Sequence, residues 1–246
     1  MSHIWWCGLG VLELFEKLGV SLTPPKIVIV YGEAMVGKST LAIMLADRLG
    51  QRLQKKTVVI YTEPIWDDPE YQSFIVNVTK AKFEIVKLAD WRHFNSLVAG
   101  FRDRVIVLDS LSALVTDIMS RFTAMGWDIR AITPRVNQIV VALVHFMRMI
   151  INNSRTIGII VAHASSLVGV SRHRGVFEDR PAVPRRILHE VDYELMLEVG
   201  DDHKSRVLTV VANRINPFAE GTSVVFTFKD GDIEVIQSGQ LKIRVV

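Results

Sequence analysis

Nine residues near the start of the chain, Gly32-Glu33-Ala34-Met35-Val36-Gly37-Lys38-Ser39-Thr40, have the types and spacing to hold a polyphosphate. Glycines let a backbone turn tightly, so that successive N–H groups point inward at phosphate oxygens. Lys38 adds a positive charge long enough to reach the terminal phosphates, and the Ser39 hydroxyl suits a divalent cation such as Mg2+. The pattern G-x-x-x-x-G-K-[ST] is short enough to arise by chance, and its surroundings decide the matter. An apolar run, Ile27 to Tyr31, precedes it, and a helical segment from Lys38 to about Leu49 follows. The loop therefore ends on a helix N-terminus, where free N–H groups and the helix dipole favour an anion. The chain is expected to bind a nucleoside triphosphate.

Two carboxylates stand at comparable places further on. Asp109 closes the apolar run Val105-Ile106-Val107-Leu108, and ligands of open α/β sheets lie outside the carboxyl ends of the strands. It reads either as support for Mg2+ opposite Ser39 or as an ordinary turn or helix-capping aspartate. Glu63 follows Thr57-Val58-Val59-Ile60-Tyr61-Thr62. A glutamate there can orient or deprotonate a water that attacks the terminal phosphate, although glutamates are common at strand ends.

These groups need a scaffold. The runs at 27–31, 57–61, 105–110 and 156–162 are mainly apolar, the third until its terminal carboxylate, with helix-like segments at 38–49, 68–78, 90–101 and 134–152 between them. Continuous apolar strands alternating with helices indicate a parallel sheet covered on both faces. Pro134 is placed near the first turn of its helix. The last third changes texture: Tyr193–Val199, Arg206–Ala212, Ser223–Phe228 and Asp232–Ile236 are short strands, with a hairpin turn at Lys229-Asp230-Gly231. They are expected as antiparallel additions at one end of the sheet. Residues 1–25 form an N-terminal segment with a short helix, Val11 to Gly19, and residues 26–246 one α/β domain. Trp5 and Trp6 either pack at the core edge or face a neighbouring subunit.

Composition narrows the setting. A single cysteine, Cys7, excludes an intramolecular disulfide and a cysteine metal site. No continuous apolar stretch reaches a bilayer span and no signal peptide is evident, so no membrane partner and a cytoplasmic location are expected. The net charge of +3 permits a nucleic-acid partner without requiring one.

Taken in order, Gly32–Thr40, Val59-Ile60-Tyr61-Thr62-Glu63 and Ile106 through Asp109-Ser110-Leu111 to Leu114 resemble the RecA/RadA recombinase superfamily. Arg121 to Pro134 looks like its first DNA-binding loop, followed by Arg135-Val136-Asn137-Gln138. Pro181–Pro184 with Leu188–Leu195 is similar to the segment after its second DNA-binding loop. Asn213-Arg214-Ile215-Asn216-Pro217 and Asp230-Gly231 look like its nucleotide-capping end. The resemblance implies that Lys38 and Ser39 bind phosphate and Mg2+, that Asp109 supports the metal and that Glu63 activates water. Because ATP sits between subunits in that family, it also implies that Asn216 and Pro217 cap a neighbour's nucleotide, in a homo-oligomer.

Departures from the pattern matter as much. Where the family carries glutamine or asparagine as a γ-phosphate sensor, this chain has His163, read equally as a substitute sensor or a satisfied core histidine. The phosphate loop carries Ala34, Met35 and Val36 where relatives are richer in glycine and proline. No N-terminal helix-hairpin-helix domain and no Phe-x-x-Ala polymerisation motif are found. The resemblance is to a short archaeal RadA paralogue of RadB/RadC type. Between Ser165 and Arg186, the arginines Arg172, Arg174, Arg180, Arg185 and Arg186 suit phosphate-backbone contacts, against the plainer reading of a solvated loop. Arg206 and Arg214 are further candidates for a neighbour's phosphates.

The expectation is an ATP- and Mg2+-dependent ATPase that binds DNA, single-stranded by preference, and assists homologous recombination and repair. Alternatives are an ATP-binding partner or mediator of a full-length RadA-type recombinase with little hydrolysis, a KaiC-type signalling ATPase without DNA function, and a small-molecule kinase.

Overall fold

The computed structural model describes residues 10–165 and 180–240. Trp5, Trp6, Cys7, Arg172 and Arg174 lie outside the described residues, and so do the roles considered for them.

The chain runs α1 (Gly10–Lys17), β1 (Lys26–Gly32), α2 (Lys38–Leu53), β2 (Thr57–Tyr61), α3 (Pro69–Thr79), β3 (Phe83–Lys87), α4 (Phe94–Gly100), β4 (Val105–Asp109), α5 (Leu111–Ala124), α6 (Ile129–Ser154) and β5 (Ile157–Ser165). It continues with β6 (Arg180–Pro181), β7 (Tyr193–Val199), β8 (Arg206–Asn213), β9 (Thr222–Lys229) and β10 (Asp232–Gln240). One sheet holds the strands in the order β10-β9-β8-β7-β1-β5-β4-β2-β3, with the short β6 paired to the end of β5. From β3 to β7 every pairing along that path is parallel, and β8, β9 and β10 extend the edge antiparallel. The late strands are thus added at one end of the sheet, as the sequence indicates, with one refinement. Tyr193–Val199 joins β1 in parallel register and only the strands after it reverse.

Both faces of the sheet are covered, which is why its strands read as unbroken apolar runs. Alternate residues serve two cores. Val28, Val30, Val59, Val107 and Ile159 meet α1 and α2 on one face, while Ile27, Ile29, Ile60, Leu108 and Ile160 meet α4, α5 and α6 on the other. Buried residues of α6 fall at Ile132, Val136, Val140, Leu143, Val144, Met147 and Ile151, the three-and-four spacing of one helix face.

Three sequence expectations need correction. Residues 111–124 form α5, begun by the Ser110 hydroxyl accepting from the Ala113 amide at 3.2 Å, and α6 starts at Ile129, capped by Asp128. The first DNA-binding loop expected over Arg121 to Pro134 is therefore mostly helical and shrinks to the turn at 125–128. Pro134 lies inside α6, not in its first turn. Its missing N–H leaves the Arg130 carbonyl without a helical bond, a loss normally worth about 3 kcal/mol; both residues are exposed, so water can serve that carbonyl. Residues 91–93 form a 3-10 turn before α4 begins. Further, α6 with its 26 residues is long and apolar enough by composition to cross a membrane, a length the sequence reading assigned to no segment.

The sheet's lower margin is tied by one carboxylate. Asp192, 8% exposed, accepts from the Ile27 amide at 2.8 Å and takes the Arg148 guanidinium on both oxygens. It joins α6 to the start of β1 and β7. Asp192→Ala would leave a buried N–H and a largely enclosed cation unpaired, and is expected to cost about 3 kcal/mol in urea unfolding; a loss under about 1 kcal/mol would show the clamp to be dispensable.

Candidate nucleotide-binding site

The loop after β1 owes its shape to two close approaches. A Cβ at Gly32 would lie 2.1 Å from the Leu197 carbonyl oxygen, so only glycine lets β7 pair here. Gly37 has φ +96 and faces the Phe228 ring, which a Cβ would meet at 2.8 Å. Between them Met35 also adopts positive φ (63) and is 97% exposed. Gly37 precedes α2 and makes no side-chain cap, the kind of helix N-terminus that can offer its first-turn amides to an anion.

Lys38 is 5% exposed, and its ammonium donates to the Glu33 carbonyl of the same loop. Desolvation lowers its pKa; the nearby Glu63, Asp109 and Glu33 carboxylates oppose that shift. A buried ammonium facing carboxylates at a helix N-terminus is a site for a polyanion with its cation.

Asp109 ends β4 and is 1% exposed. One oxygen accepts the indole N–H of Trp66 at 2.9 Å, and the Ser39 hydroxyl also favours its ionised form. Its other oxygen, Oδ1, is the one buried side-chain polar atom without a partner among the described residues. Such an orphan, beside a serine hydroxyl and a phosphate loop, fits Mg2+ or one of its waters. The Thr62 amide donates to the Asp109 carbonyl at 2.8 Å, and the Thr62 hydroxyl bridges the Ser110 carbonyl and amide. The Asp109–Ser110 peptide is cis. These bonds stitch β2 to β4 and put Glu63 beside Asp109.

His163 on β5 stands opposite Gly32 of β1. It is partly exposed, not a core residue, and its Nε2 lies 2.9 Å from Glu63 Oε1. Its amide donates to the Ser112 hydroxyl at 2.9 Å and its carbonyl accepts from the Ala182 amide at 2.7 Å. Both ends of the 166–179 segment thus leave the sheet next to His163, where Ala164 pairs Pro181 and Ser165 pairs Arg180.

The structure brings together Gly32–Thr40, Glu63, Asp109 and His163. It does not bring Asn216 and Pro217 to this loop. They are exposed and follow Asn213, which pairs Tyr193 opposite Val28, at the other end of β1. Four residues of strand put about 13 Å between the two levels. Arg206, considered for a neighbour's phosphates, is engaged within its own chain: Nε donates to the Val36 carbonyl at 2.8 Å and Nη1 to the His203 and Ser205 carbonyls. Arg214 is occupied by His189 at that far end. Arg185 and Arg186 are exposed on a 3-10 turn.

Two residues of the site escaped sequence reading. Trp66, fully buried, and Tyr71 meet edge to face at 5.1 Å behind the carboxylate. Burial first, then the Asp109 charge, pushes the Tyr71 phenol up to about 12, while Ser39 pulls the other way. Aromatic residues following Glu63 were the available signal, but tryptophan in a helix-forming stretch reads first as core.

A phosphate loop at the end of a central strand, in a mostly parallel sheet extended by an antiparallel edge, is the architecture of the RecA-like recombinases. No family model matches the chain. It is 24% identical over 224 residues to the DNA repair protein RadA of Halalkalibacterium halodurans, covering 91% of this chain and 44% of that protein, so it spans under half of its relative's length. The fold is similar to that of the RadB recombinase, with a TM-score of 0.61 at 18% identity over 91% of this chain and 96% of the other. The chain has a RecA-like fold similar to that of the RadB recombinase.

Burial sets a pH dependence. Desolvation first, and the Glu63 charge next, push the Asp109 carboxyl up to about 6. Because this exceeds the unfolded value near ~3.9, the folded chain holds a proton that the unfolded chain loses between about pH 4 and 6. The associated stability is present at low pH and drains as pH rises through that window, about 2–3 kcal/mol in all. Asp109→Asn is expected to raise the melting temperature of the nucleotide-free chain at neutral pH, with the gain vanishing toward about pH 4. A lower melting temperature at neutral pH would contradict a buried, ionised Asp109.

Proposed function

We propose that the chain is an ATP-dependent DNA-binding accessory protein of homologous recombination and repair. The observation that carries the reading is the convergence of Lys38, Ser39, Asp109, Glu63 and His163 at the carboxyl ends of four adjacent parallel strands. Likeness to a DNA repair protein across most of the chain supports the process.

In this reading the loop amides of 32–40 and Lys38 bind the phosphates of ATP, and Ser39 with Asp109 Oδ1 hold Mg2+. The bound Mg2+–ATP supplies a phosphoryl group open to attack by water. Trp66 holds Oδ2 of the Asp109 carboxylate, which would leave Oδ1 for the metal. Glu63 orients that water and takes its proton on the carboxylate. His163 holds Glu63 and, through its own carbonyl, the Ala182 amide, so nucleotide state is passed to the segment that carries the arginines. Arg185 and Arg186, with Arg172, Arg174 and Arg180, contact the phosphate backbone of single-stranded DNA. Asn216 and Pro217 serve the nucleotide of a second copy, since their own loop lies at the opposite end of β1.

One observation favours a mediator with little hydrolysis, partnered with a full-length recombinase. The Glu63 carboxylate is already engaged by His163, and a base held in a hydrogen bond is less available to water.

ATPase rate and particle size, each with and without single-stranded DNA, separate these readings. Lys38→Ala is expected to abolish ATP binding in titration calorimetry. Glu63→Gln should keep ATP binding and lose turnover by about 100-fold or more; undiminished turnover in that variant would remove Glu63 from its role. Retention of DNA by wild-type protein irrespective of ATP would remove the coupling.

A further inference from the structure

Away from the phosphate loop, where α2 and α3 end and β2, β3 and β4 begin, the chain forms a groove of about 630 Å3. Lys55, Lys56, Lys80, Lys82 and Arg104 line it, against two carboxylates, Asp47 and Glu84. The lining thus carries five cations against two carboxylates, a local excess of three positive charges.

Both carboxylates are already committed. Asp47 is buried and accepts from Arg48, from Gln51 at 2.7 Å and from the Lys82 amide at 3.0 Å. Glu84 pairs with Arg104. The Lys55 ammonium donates to the Ser154 carbonyl at 2.8 Å. Lys56, Lys80 and Lys82 are exposed and have no ion pair among the described residues. Helix C-termini attract cations, which accounts for Lys80 at the end of α3. Lys56 and Lys82 each lie three residues past the end of a helix, α2 and α3, and directly before a strand. A concave surface of one charge focuses its field on an anionic ligand.

The lining also selects among anions. Lysine is depleted in protein–protein interfaces, which centre on aromatic or aliphatic anchors, and Phe83, the one aromatic here, is turned into the core. Lysine ammoniums with the amide side chains of Gln51 and Gln54 suit a regular row of phosphates. We propose that this groove is a second, sequence-independent nucleic-acid site that takes the phosphodiester backbone of a duplex. It shares no residue with the single-strand site proposed for Arg172–Arg186.

The test is binding of a labelled mixed-sequence DNA duplex to the full chain, by fluorescence anisotropy over a salt series. A parallel arm uses an RNA duplex of the same sequence. The triple variant Lys56→Glu, Lys80→Glu, Lys82→Glu is expected to weaken duplex binding at least about 10-fold and to flatten the slope of log affinity against log salt by about 2–3, near 0.9 for each lost phosphate contact. Its melting temperature, ATP binding and single-strand binding should stay at wild-type values, and the triple Lys→Arg variant should retain duplex binding. If the charge reversal unfolds the chain, the triple Lys→Gln variant carries the same comparison with a smaller drop. Equal affinity for both duplexes supports backbone recognition. Unchanged affinity and slope in the folded variants overturn the proposal, and so does lysine-dependent binding of polyglutamate without binding of either duplex. Loss of single-strand binding in Arg185→Glu/Arg186→Glu, with duplex binding kept, identifies the two sites as separate. Failure of single-strand binding in the wild type would sink only the proposed single-strand function.

Discussion

The site turns on a carboxylate that burial opposes. Asp109 is 1% exposed at the end of a hydrophobic strand, and taking an ion out of water is costly unless its lone pairs are met. One oxygen is met by Trp66 and the Ser39 hydroxyl lies nearby, but Oδ1 has no partner among the described residues. The chain carries this cost together with a second one, the desolvated ammonium of Lys38. Two opposite charges left incompletely paired are a poor device for stability and a good one for holding a metal and a polyphosphate, because the missing partners are what the ligand brings.

That arrangement demands rigid support, and the support comes from places far apart in sequence. Strand β2 is fastened to β4 through Thr62, which delivers Glu63 beside Asp109; β5 delivers His163 to Glu63; β7 closes on Gly32 through the Leu197 carbonyl. The antiparallel edge contributes as well. Phe228 lies against Gly37, and Arg206 grips the Val36 carbonyl, so β8 and β9 brace the phosphate loop from outside the parallel sheet. An arginine that reads as a free phosphate ligand in sequence is here spent on backbone carbonyls of its own chain.

The two ends of the central strands carry different chemistry. Carboxyl ends gather the buried Asp109 carboxylate and Lys38 ammonium with the partly exposed Glu63 beside them, where enclosure strengthens electrostatics. Around the amino ends lie exposed lysines and, near the start of β1, the Asn216–Ala219 turn with Phe218 91% exposed. Charges at that end act over a hydrated surface and depend on salt, whereas those at the other end depend on burial and pH.

Local chemistry in the sequence determined much of this protein. The bounds of β2 and β7 are readable to the residue, because apolar strands flanked by polar breakers carry their own signal; the phosphate loop is readable because its residue types and spacing are diagnostic. Helix α5 was hidden, since Ser110 reads as the last strand residue until its hydroxyl is seen capping Ala113. Tertiary structure alone decided which groups meet. Trp66 and Asp109 are 43 residues apart and Glu63 and His163 are 100 apart, yet each pair is within hydrogen-bond reach. Strand order and register set those meetings, and they follow from how two cores close around one sheet, a property no short window of sequence contains.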